Sequence, residues 1–308
     1  MQYAIKVTNL IKDYSKSSGV ANRALDNLNL SVPKGTIFGL LGPNGAGKST
    51  LINILAGTIK KTSGNVYIMD ISIDESPKSA RGQIGIVPQE VVYDTFFSIF
   101  DALEFYAGYY GIKPGNRKTE AILKALSLWD KRSSHPQALS GGMKRRFLIA
   151  KAMVHSPPVL VLDEPTAGVD IELRDQLWKY IKSLQKQGVT VIITTHYLTE
   201  AQELCDEIAF INNGVIVKQD SKNKILNSLG SKYIEFTFSN LINPENVQEK
   251  YEFISPNKIR FYIDQEKTDY YKIFQNISDL GEEIVDIHTA SPDLEVIFQQ
   301  IMNSSKSI

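Results

Sequence analysis

The hydrophobic positions of the chain alternate between strand-like and helix-like spacing as far as Leu229. Alternating segments such as "YAIKVTNL" and "LDNLNLSV" predict half-buried strands. Continuous apolar runs, "TIFGLLG", "VLVLDEP" and "VTVIITTH", predict strands that are covered on both faces. The segments between them have helical spacing, so the order predicts an α/β fold with a mainly parallel sheet.

Two of the predicted helices lie in the middle of the chain. One covers Ser98–Tyr110, with Ser98 as its N-cap and Asp101 three residues on, and the other covers Lys118–Trp129. A third helical run, "IELRDQLWKYIKSLQKQG", joins two buried strands and stops at its glycine. These runs predict helices beside the sheet.

The pattern changes near Gly230. Segments "KYIEFTF", "KIRFYI" and "EEIVDIHT" alternate like half-buried strands, and "DYYKIFQNISDL" and "DLEVIFQQIM" have helical spacing. Residues 1–229 hold 27 Lys/Arg and 21 Asp/Glu, whereas residues 230–308 hold 7 and 13. We therefore predict two domains, 1–229 and a small α+β domain over 230–308.

Composition limits the function classes. The net charge is +0, which argues against a nucleic-acid partner. Cys205 is the one cysteine, so an internal disulfide is excluded and a reducing cytosol is expected. We find no signal-peptide pattern and no apolar run of about 18 residues, and we expect a chain that does not span a membrane.

A glycine-rich loop between a predicted strand and a predicted helix carries the first candidate chemistry. "GPNGAGKS" fits the P-loop pattern G-x-x-x-x-G-K-[ST]. Glycine at Gly42, Gly45 and Gly47 lets polyphosphate approach several backbone N–H groups. Lys48 adds a charge between the β- and γ-phosphates, and Ser49 offers a hydroxyl to Mg²⁺.

Polar residues at the ends of other apolar strands supply the second half of such a site. Asp163 is placed to hold Mg²⁺ through water, and Glu164 to orient or deprotonate the attacking water. His196 is a plausible γ-phosphate contact, although a helix cap or surface role also fits it. Gln89 follows a strand, and its amide could touch Mg²⁺ or the water.

A second helix start suited to an anion lies in "LSGGMKRRFLIA", Leu139–Ala150, and we call its first four residues, Leu139–Gly142, the signature segment. Ser140 is the natural N-cap, and Gly141 and Gly142 let a phosphate approach. A helix N-terminus contributes at most about 2 kcal/mol toward an anion, so it cannot hold a polyphosphate ligand alone. It can complete a site that already binds the nucleotide.

Five segments, "GPNGAGKST", "VPQE", "LSGGMKRR", "VLVLDEPTAGVD" and "TTHYLTEA", occur in one order with family-like spacing over residues 3–229. Together they resemble the nucleotide-binding subunit of an ATP-binding cassette (ABC) transporter. The resemblance implies a P-loop NTPase fold: a mixed sheet with helices, antiparallel N-terminal strands and a helical subdomain over about residues 90–155. It also implies ATP and Mg²⁺ as cofactors.

The resemblance carries roles onto matching positions. Glu164 is the catalytic base, His196 the switch histidine, and Gln89 lies in the loop that senses a membrane partner. Ser49, Gln89 and Asp163 serve Mg²⁺. The implied ATP-binding residues are Tyr14, which resembles the aromatic residue that stacks on adenine, and Gly42, Pro43, Asn44, Gly45, Ala46, Gly47, Lys48, Ser49 and Thr50.

The resemblance also implies a partner. Ser140, Gly141 and Gly142 would contact ATP bound by a second copy, and Asp170 would lie at the dimer seam. Met143 stands where the family usually has Gln, which resembles a branch of bacterial exporters with a separate transmembrane permease subunit and often a C-terminal extension. We therefore expect a cytoplasmic protein, peripheral on the inner face of the membrane.

Eight Phe or Tyr residues lie between Gln89 and Gly111. Half of them would suffice for a helical core face, and the remainder would suit a groove for a membrane partner. Both interpretations remain open. The resemblance places a short helix of the membrane subunit near here, and Tyr93, Phe96 and Phe97 are the predicted contacts.

Two other functions compete with that of an exporter ATPase subunit. A soluble ABC-family ATPase that acts on nucleic acid or ribosomes is the alternative, but long coiled-coil arms, zinc sites and a tandem cassette are missing from the sequence. A small-molecule P-loop kinase does not explain "LSGG" or "TTHYLTEA".

Overall fold

The protein is described by a computed structural model over residues 2–14, 22–90, 95–166, 171–195, 197–229, 232–242, 251–263, 269–290 and 294–304. It divides into two compact units, Met1–Ser221 and Lys222–Ile308. The helix Lys222–Leu229, which precedes the predicted boundary, belongs to the second unit, where it contacts the helix Leu294–Ser304.

The first unit combines strands and helices in the predicted alternation. Its described strands are β1 Tyr3–Tyr14, β2 Asn22–Pro33, β3 Ile37–Leu41, β4 Ser63–Ile68, β5 Ile71–Ser72, β6 Ile84–Val87, β7 Val159–Asp163, β8 Thr190–Thr195, β9 Glu207–Asn212 and β10 Val215–Ser221. Its described α-helices are α1 Lys48–Ala56, α2 Pro77–Gly82, α3 Ile99–Tyr109, α4 Thr119–Ala125, α5 Gly141–Met153, α6 Ile171–Lys186 and α7 Leu198–Leu204.

The larger sheet of this unit has the order β10-β9-β3-β8-β7-β6 over the described residues. Neighbours from β9 to β6 are parallel, and β10 returns antiparallel to β9 through a turn at Asn213 and Gly214. Every residue of β3, β7 and β8 is buried, as continuous apolar runs predict. Because parallel strands share an edge at their carboxyl ends, the segments after β3, β6, β7 and β8 meet there.

A second described sheet is antiparallel, with the order β2-β1-β4-β5. One hydrophobic cluster joins it to the larger sheet and to α1: Leu28 of β2, Leu40 of β3, Leu51 of α1 and Val161 of β7 all belong to it. The expected mixed sheet with antiparallel N-terminal strands is confirmed, and the core between the sheets fixes the P-loop against the strand ends.

Helices α3, α4 and α5 pack on one another. Ser98 N-caps α3, because its Oγ accepts from the backbone N–H of Asp101 at 3.1 Å. The predicted helix up to Trp129 is wrong at its end, since α4 stops at Ala125. Ser127 has φ +53°, a left-handed conformation that ends the helix and turns the chain into a short 3₁₀ segment, Trp129–Lys131.

The second unit is an α+β fold with its own core. Its described elements are α8 Lys222–Leu229, β11 Lys232–Phe238, β12 Glu252–Ser255, β13 Lys258–Ile263, α9 Tyr270–Asp279, β14 Ile284–Ala290 and α10 Leu294–Ser304. The strands form an antiparallel sheet in the order β12-β13-β11-β14 over these residues. Phe236 and Phe261 pack with Ile273 and Ile277 of α9 on one face.

Candidate ATP-hydrolysis site

The P-loop connects β3 to α1, as the sequence predicts. Gly47 precedes α1 with φ +108° and makes no side-chain cap bond, so the helix begins with open N–H groups that suit an anion. Gly45 has φ +81° and open space where a Cβ would lie. A Cβ on Gly42 would instead meet the carbonyl oxygen of Ile211, so this glycine is required by packing within the protein.

Lys48 is buried at the start of α1. Its Nζ donates to the carbonyl oxygens of Gly42 at 2.6 Å and Pro43 at 3.0 Å. Burial lowers the pKa of Lys48, and the charges of Glu164 and Asp163 oppose that shift. Lys48 follows β3 and the two carboxylates lie at the end of β7, with β8 between these strands, so all three groups belong to one edge of the sheet, where phosphate oxygens could replace the carbonyl contacts of Lys48.

Asp163 is the last residue of β7, and Glu164 follows it directly. Asp163 is buried, and one of its carboxylate oxygens accepts a hydrogen bond from Oγ1 of Thr194 on β8. Glu164 has φ +48°, which is uncommon for a residue with a side chain, and its N–H donates to the carbonyl oxygen of Thr194 at 3.0 Å. The neighbouring strand thus orients both acidic residues.

Gln89 meets Glu164. Nε2 of Gln89 donates to Oε2 of Glu164 at 2.9 Å, which joins the segment after β6 to the segment after β7. Gln89 is exposed and Glu164 is half-buried, so the pair lies at the surface of the strand edge. The structure brings these two sequence-predicted residues together with Lys48 and Asp163.

The signature segment begins α5. Ser140 is its N-cap, with Oγ accepting from the N–H of Met143 at 3.4 Å. Ser140 and Gly141 are exposed and Gly142 is half-buried, and a Cβ on Gly141 would meet open space. This helix start is therefore accessible to a ligand from outside.

Some of the remaining predicted site residues are described by the structure, and others are not. Tyr14 is half-buried at the end of β1, and Nζ of Lys12 lies 4.7 Å from the centroid of its ring. His196, Asp170 and Tyr93 lie outside the described residues. Ser49 is exposed and Thr50 half-buried at the start of α1.

Sequence reasoning missed two buried charged residues of this region. Glu200, on α7, accepts hydrogen bonds from Oγ1 of Thr166 and, at 3.0 Å, from Oγ1 of Thr195. It therefore joins the segment after β7 to the end of β8. Arg145, on α5, contacts backbone carbonyls after β6 and β7. The only signal for either residue was its place within a quoted motif, "TTHYLTEA" or "LSGGMKRR".

The fold and the site define a P-loop nucleotide-binding protein, in which an anion-ready helix start faces two carboxylates at a parallel sheet edge. Comparison with known families gives the particular one: residues 25–167 match the family model described as "ABC transporter". The chain belongs to the ABC transporter family.

Curated relatives and solved structures agree with this assignment. The chain is 36% identical to the linearmycin resistance ATP-binding protein LnrL of Bacillus subtilis (strain 168), over 75% of this chain and 73% of that protein. It is 34% identical to the Nod factor export ATP-binding protein I of Ralstonia nicotianae, over 75% and 71%. The dimeric post-hydrolysis state of the ATP-binding cassette MJ0796, bound to ADP and Pi, is similar with a TM-score of 0.64 and 28% identity, over 70% of this chain and 98% of that chain.

The predicted fold class and the predicted function of an ATP-binding, ATP-hydrolysing subunit of an ABC transporter are confirmed. Within the described parts of the chain, no helix has both the length and the apolar character needed to cross a membrane.

Proposed function

We propose that this chain is the ATPase subunit of an exporter, acting at the inner face of the membrane with a separate transmembrane subunit. The observation that carries the proposal is the position of Lys48, Asp163, Glu164 and Gln89 at one sheet edge, after the strands β3, β7 and β6. The relatives named for linearmycin resistance and Nod factor export support the direction of transport.

Each residue of this edge has a defined task in ATP hydrolysis. Lys48 binds the β- and γ-phosphates as a point charge. Glu164 accepts the proton of the attacking water, and the amide of Gln89 holds the carboxylate of Glu164 toward that water. The Thr194 contacts fix the backbone of Glu164 and the carboxylate of Asp163, so the acidic groups need little rearrangement.

The site also suits Mg²⁺. The described residues contain no group of three or more His, Cys, Asp or Glu side chains that could hold a metal ion. Mg²⁺ is commonly bound through one or two protein oxygens together with waters and substrate phosphates. Ser49, Asp163 and Gln89 supply oxygen donors of that kind, and the bound ion would neutralise charge on the phosphates.

A second copy of this chain completes the site in our proposal. Ser140 and Gly141 present an exposed helix start, which alone binds an anion weakly. The MJ0796 cassette, similar to this chain, is a dimer in its ADP- and Pi-bound state. We infer that the signature segment of one copy covers the γ-phosphate held by the other, with Asp170 at the seam, so that ATP closes the pair.

The aromatic residues after Gln89 form the proposed docking surface for the membrane subunit. Ile99 and Leu103 supply the buried face of α3, whereas Phe96 is 85% and Phe105 60% exposed. Phe97 stacks on Phe105, with ring centroids 5.8 Å apart. A groove of about 480 Å³ runs beside them, and it is lined by Phe96, Phe97, Ser98, Phe100, Asp101, Trp129, Arg132, Ser133 and His135.

The hydrolytic assignment is tested with Glu164→Gln in the full-length chain. The amide cannot accept the proton, so hydrolysis should slow by about 10²- to 10⁴-fold while ATP binding persists. Size-exclusion chromatography should show this variant as a dimer in ATP and Mg²⁺ and a smaller species without nucleotide. Normal turnover of Glu164→Gln would refute the assignment of the base.

The docking surface is tested separately by purifying the chain from detergent-solubilised membranes of its native host. We expect a polytopic membrane protein to co-purify, and Phe96→Ser/Phe97→Ser to lose it while binding ATP normally. Tyr67→Ser, an exposed aromatic residue on β4, is the control and should retain the partner. If wild type, Phe96→Ser/Phe97→Ser and Tyr67→Ser all recover the membrane protein equally, these aromatic residues do not form the docking surface.

A further inference from the structure

Arg145 makes an unusual set of contacts at the centre of the first unit. It lies on α5, and only 5% of its surface is exposed. Nη1 donates to the carbonyl oxygens of Pro88 at 2.6 Å and Gln89 at 3.1 Å. Nη2 donates to the carbonyl oxygen of Glu164 at 2.8 Å and to that of Asp163, and Nε donates to that of Pro165 at 3.3 Å.

The chemistry of these contacts requires arginine. A guanidinium presents five N–H donors in a rigid planar fork, whereas an ammonium offers three donors around one point. Burial lowers the pKa of Arg145, and the charges of Asp163 and Glu164 oppose that shift. Arginine still remains charged inside a protein, so the fork binds the carbonyl oxygens as a cation.

Two of the acceptors belong to the residues proposed to act on the attacking water. Arg145 holds the backbone carbonyls of Gln89 and Glu164, and the side chains of these two residues are joined at 2.9 Å. The N–H of Glu164 is held from the other side by Thr194. Arg145 therefore constrains both ends of the Gln89–Glu164 contact and helps to keep Glu164 in its left-handed conformation.

We propose that Arg145 is a positioning residue for ATP hydrolysis, which holds Gln89 and Glu164 in register by binding their backbone carbonyls. The inference rests on the proposed functions of Gln89 and Glu164. It adds that Arg145, on a different helix, fixes the positions of both residues. Ser140 is the N-cap of α5, and Arg145 lies within this helix. When Ser140 contacts the ATP held by a second copy, the resulting position of α5 would therefore also set the geometry of Glu164 in the same chain as Arg145.

The test measures steady-state ATP hydrolysis and the Kd of a fluorescent ATP analogue for full-length Arg145→Lys and Arg145→Gln. Each variant keeps hydrogen-bond donors but loses the fork. We expect kcat to fall at least about tenfold, with KM and Kd within about twofold of wild type. The control is Arg146→Lys, the neighbouring arginine of α5, which is also buried and donates to the carbonyl oxygen of Leu126. It should retain kcat.

A double-mutant comparison separates positioning from general damage. In a Glu164→Gln background, Arg145→Lys should cost little further in single-turnover hydrolysis, because both changes disable the same carboxylate. A cost equal to that in the wild-type background would overturn the proposal. Wild-type kcat in a folded Arg145 variant would also overturn it, as would failure of both variants to fold while Arg146→Lys folds.

These outcomes separate the inference from the proposed function. If Glu164→Gln alone turns over normally, the base assignment fails whatever the Arg145 variants do. If Glu164→Gln is inactive and the Arg145 variants hydrolyse ATP like wild type, the base assignment stands and only the positioning role is wrong.

Discussion

The amide Nε2 of Gln89 donates to Oε2 of Glu164 at 2.9 Å, which links two segments 75 positions apart in the chain. The contact forms because β6 and β7 are parallel neighbours, so that their carboxyl ends lie side by side. A carboxylate at the surface of the strand edge would otherwise sample several rotamers. The amide selects the one in which Oε2 faces Gln89.

Gln89→Ala should therefore slow hydrolysis more than it weakens binding. We expect kcat to fall about tenfold, as for the loss of a hydrogen bond to a charged group, while the Kd for ATP changes by less than about threefold. Phosphate-release kinetics and equilibrium titration measure the two effects. Gln187→Ala, at an exposed glutamine after α6, is the control. A large loss of ATP affinity with unchanged kcat would contradict the contact's role.

The sequence was sufficient to predict most of this edge. Continuous apolar runs identify β3, β7 and β8, and parallel strands bring their ends together, so Lys48 and Asp163 could be placed in one site before any coordinates. Arg145 could not be found this way. A basic residue in "MKRR" looks like part of a solvated helix face, and the carbonyl oxygens that bind it come from segments distant in the chain.

The end of α4 shows a similar limit. Helical spacing continues through "ALSLW", yet the helix stops because Ser127 adopts a left-handed conformation and Leu128 bonds back to Leu123. The spacing of apolar residues does not show where one residue will leave the helical conformation, so the end of α4 could not be read from the sequence. Strand β12 and helix α8 were not predicted because they are short, and a short segment contains too few apolar positions to define a period.

Ser140→Arg tests whether the signature segment acts on a second copy. The bulky cation should block approach of the partner's γ-phosphate, so ATP-dependent dimerisation should be lost, while the monomer binds ATP within about twofold of wild type. Analytical ultracentrifugation in a Glu164→Gln background and nucleotide titration measure these effects. Ser98→Arg, which removes the equivalent N-cap of α3, controls for the loss of a cap, at about 1 kcal/mol.

Collapse of ATP affinity in monomeric Ser140→Arg would contradict this prediction, because the segment would then act on the P-loop of its own chain. Unchanged dimerisation would contradict it as well.

Truncation tests whether the two units fold separately. Over the part of the chain that the structure describes, the cluster that contains Leu40 and Val161 ends at Ile216, whereas Phe236 and Ile273 belong to a different cluster. We expect a fragment that ends at Ser221 to be soluble, to unfold cooperatively and to bind ATP within about threefold of the full chain. Circular dichroism melts and nucleotide titration provide the measurement.

A fragment that ends at Asn213 is the matched control, since it removes β10 and leaves β9 as an edge strand. It should be markedly less stable than the longer fragment. An insoluble product ending at Ser221 would show that the cut crosses a core.

His155 should make the stability of the chain depend on pH. Its ring stacks on Tyr110 with centroids 3.9 Å apart, Nε2 lies 3.3 Å from the carbonyl oxygen of Ile84, and the buried Nδ1 has no hydrogen-bond partner among the described residues. Burial lowers the pKa of His155 below its ordinary 6.5, although the contact with Ile84 opposes the shift. A proton on Nδ1 would be buried without an acceptor.

The direction of this pH dependence follows from the protonation of His155 in the folded and in the unfolded chain. Above pH 7.5 the ring is neutral in the folded and unfolded chain, and its titration contributes nothing to stability. As the pH falls through about 6.5 the unfolded chain takes up the proton first, so the free energy of unfolding decreases until the pH passes below the folded pKa.

His155→Phe should keep the stacking and reduce the drop in Tm between pH 7.5 and 5.5, on the order of 1–2 °C. Differential scanning fluorimetry measures this drop, with the exposed His135→Phe as control. An unchanged drop in His155→Phe would show that other groups carry the pH dependence.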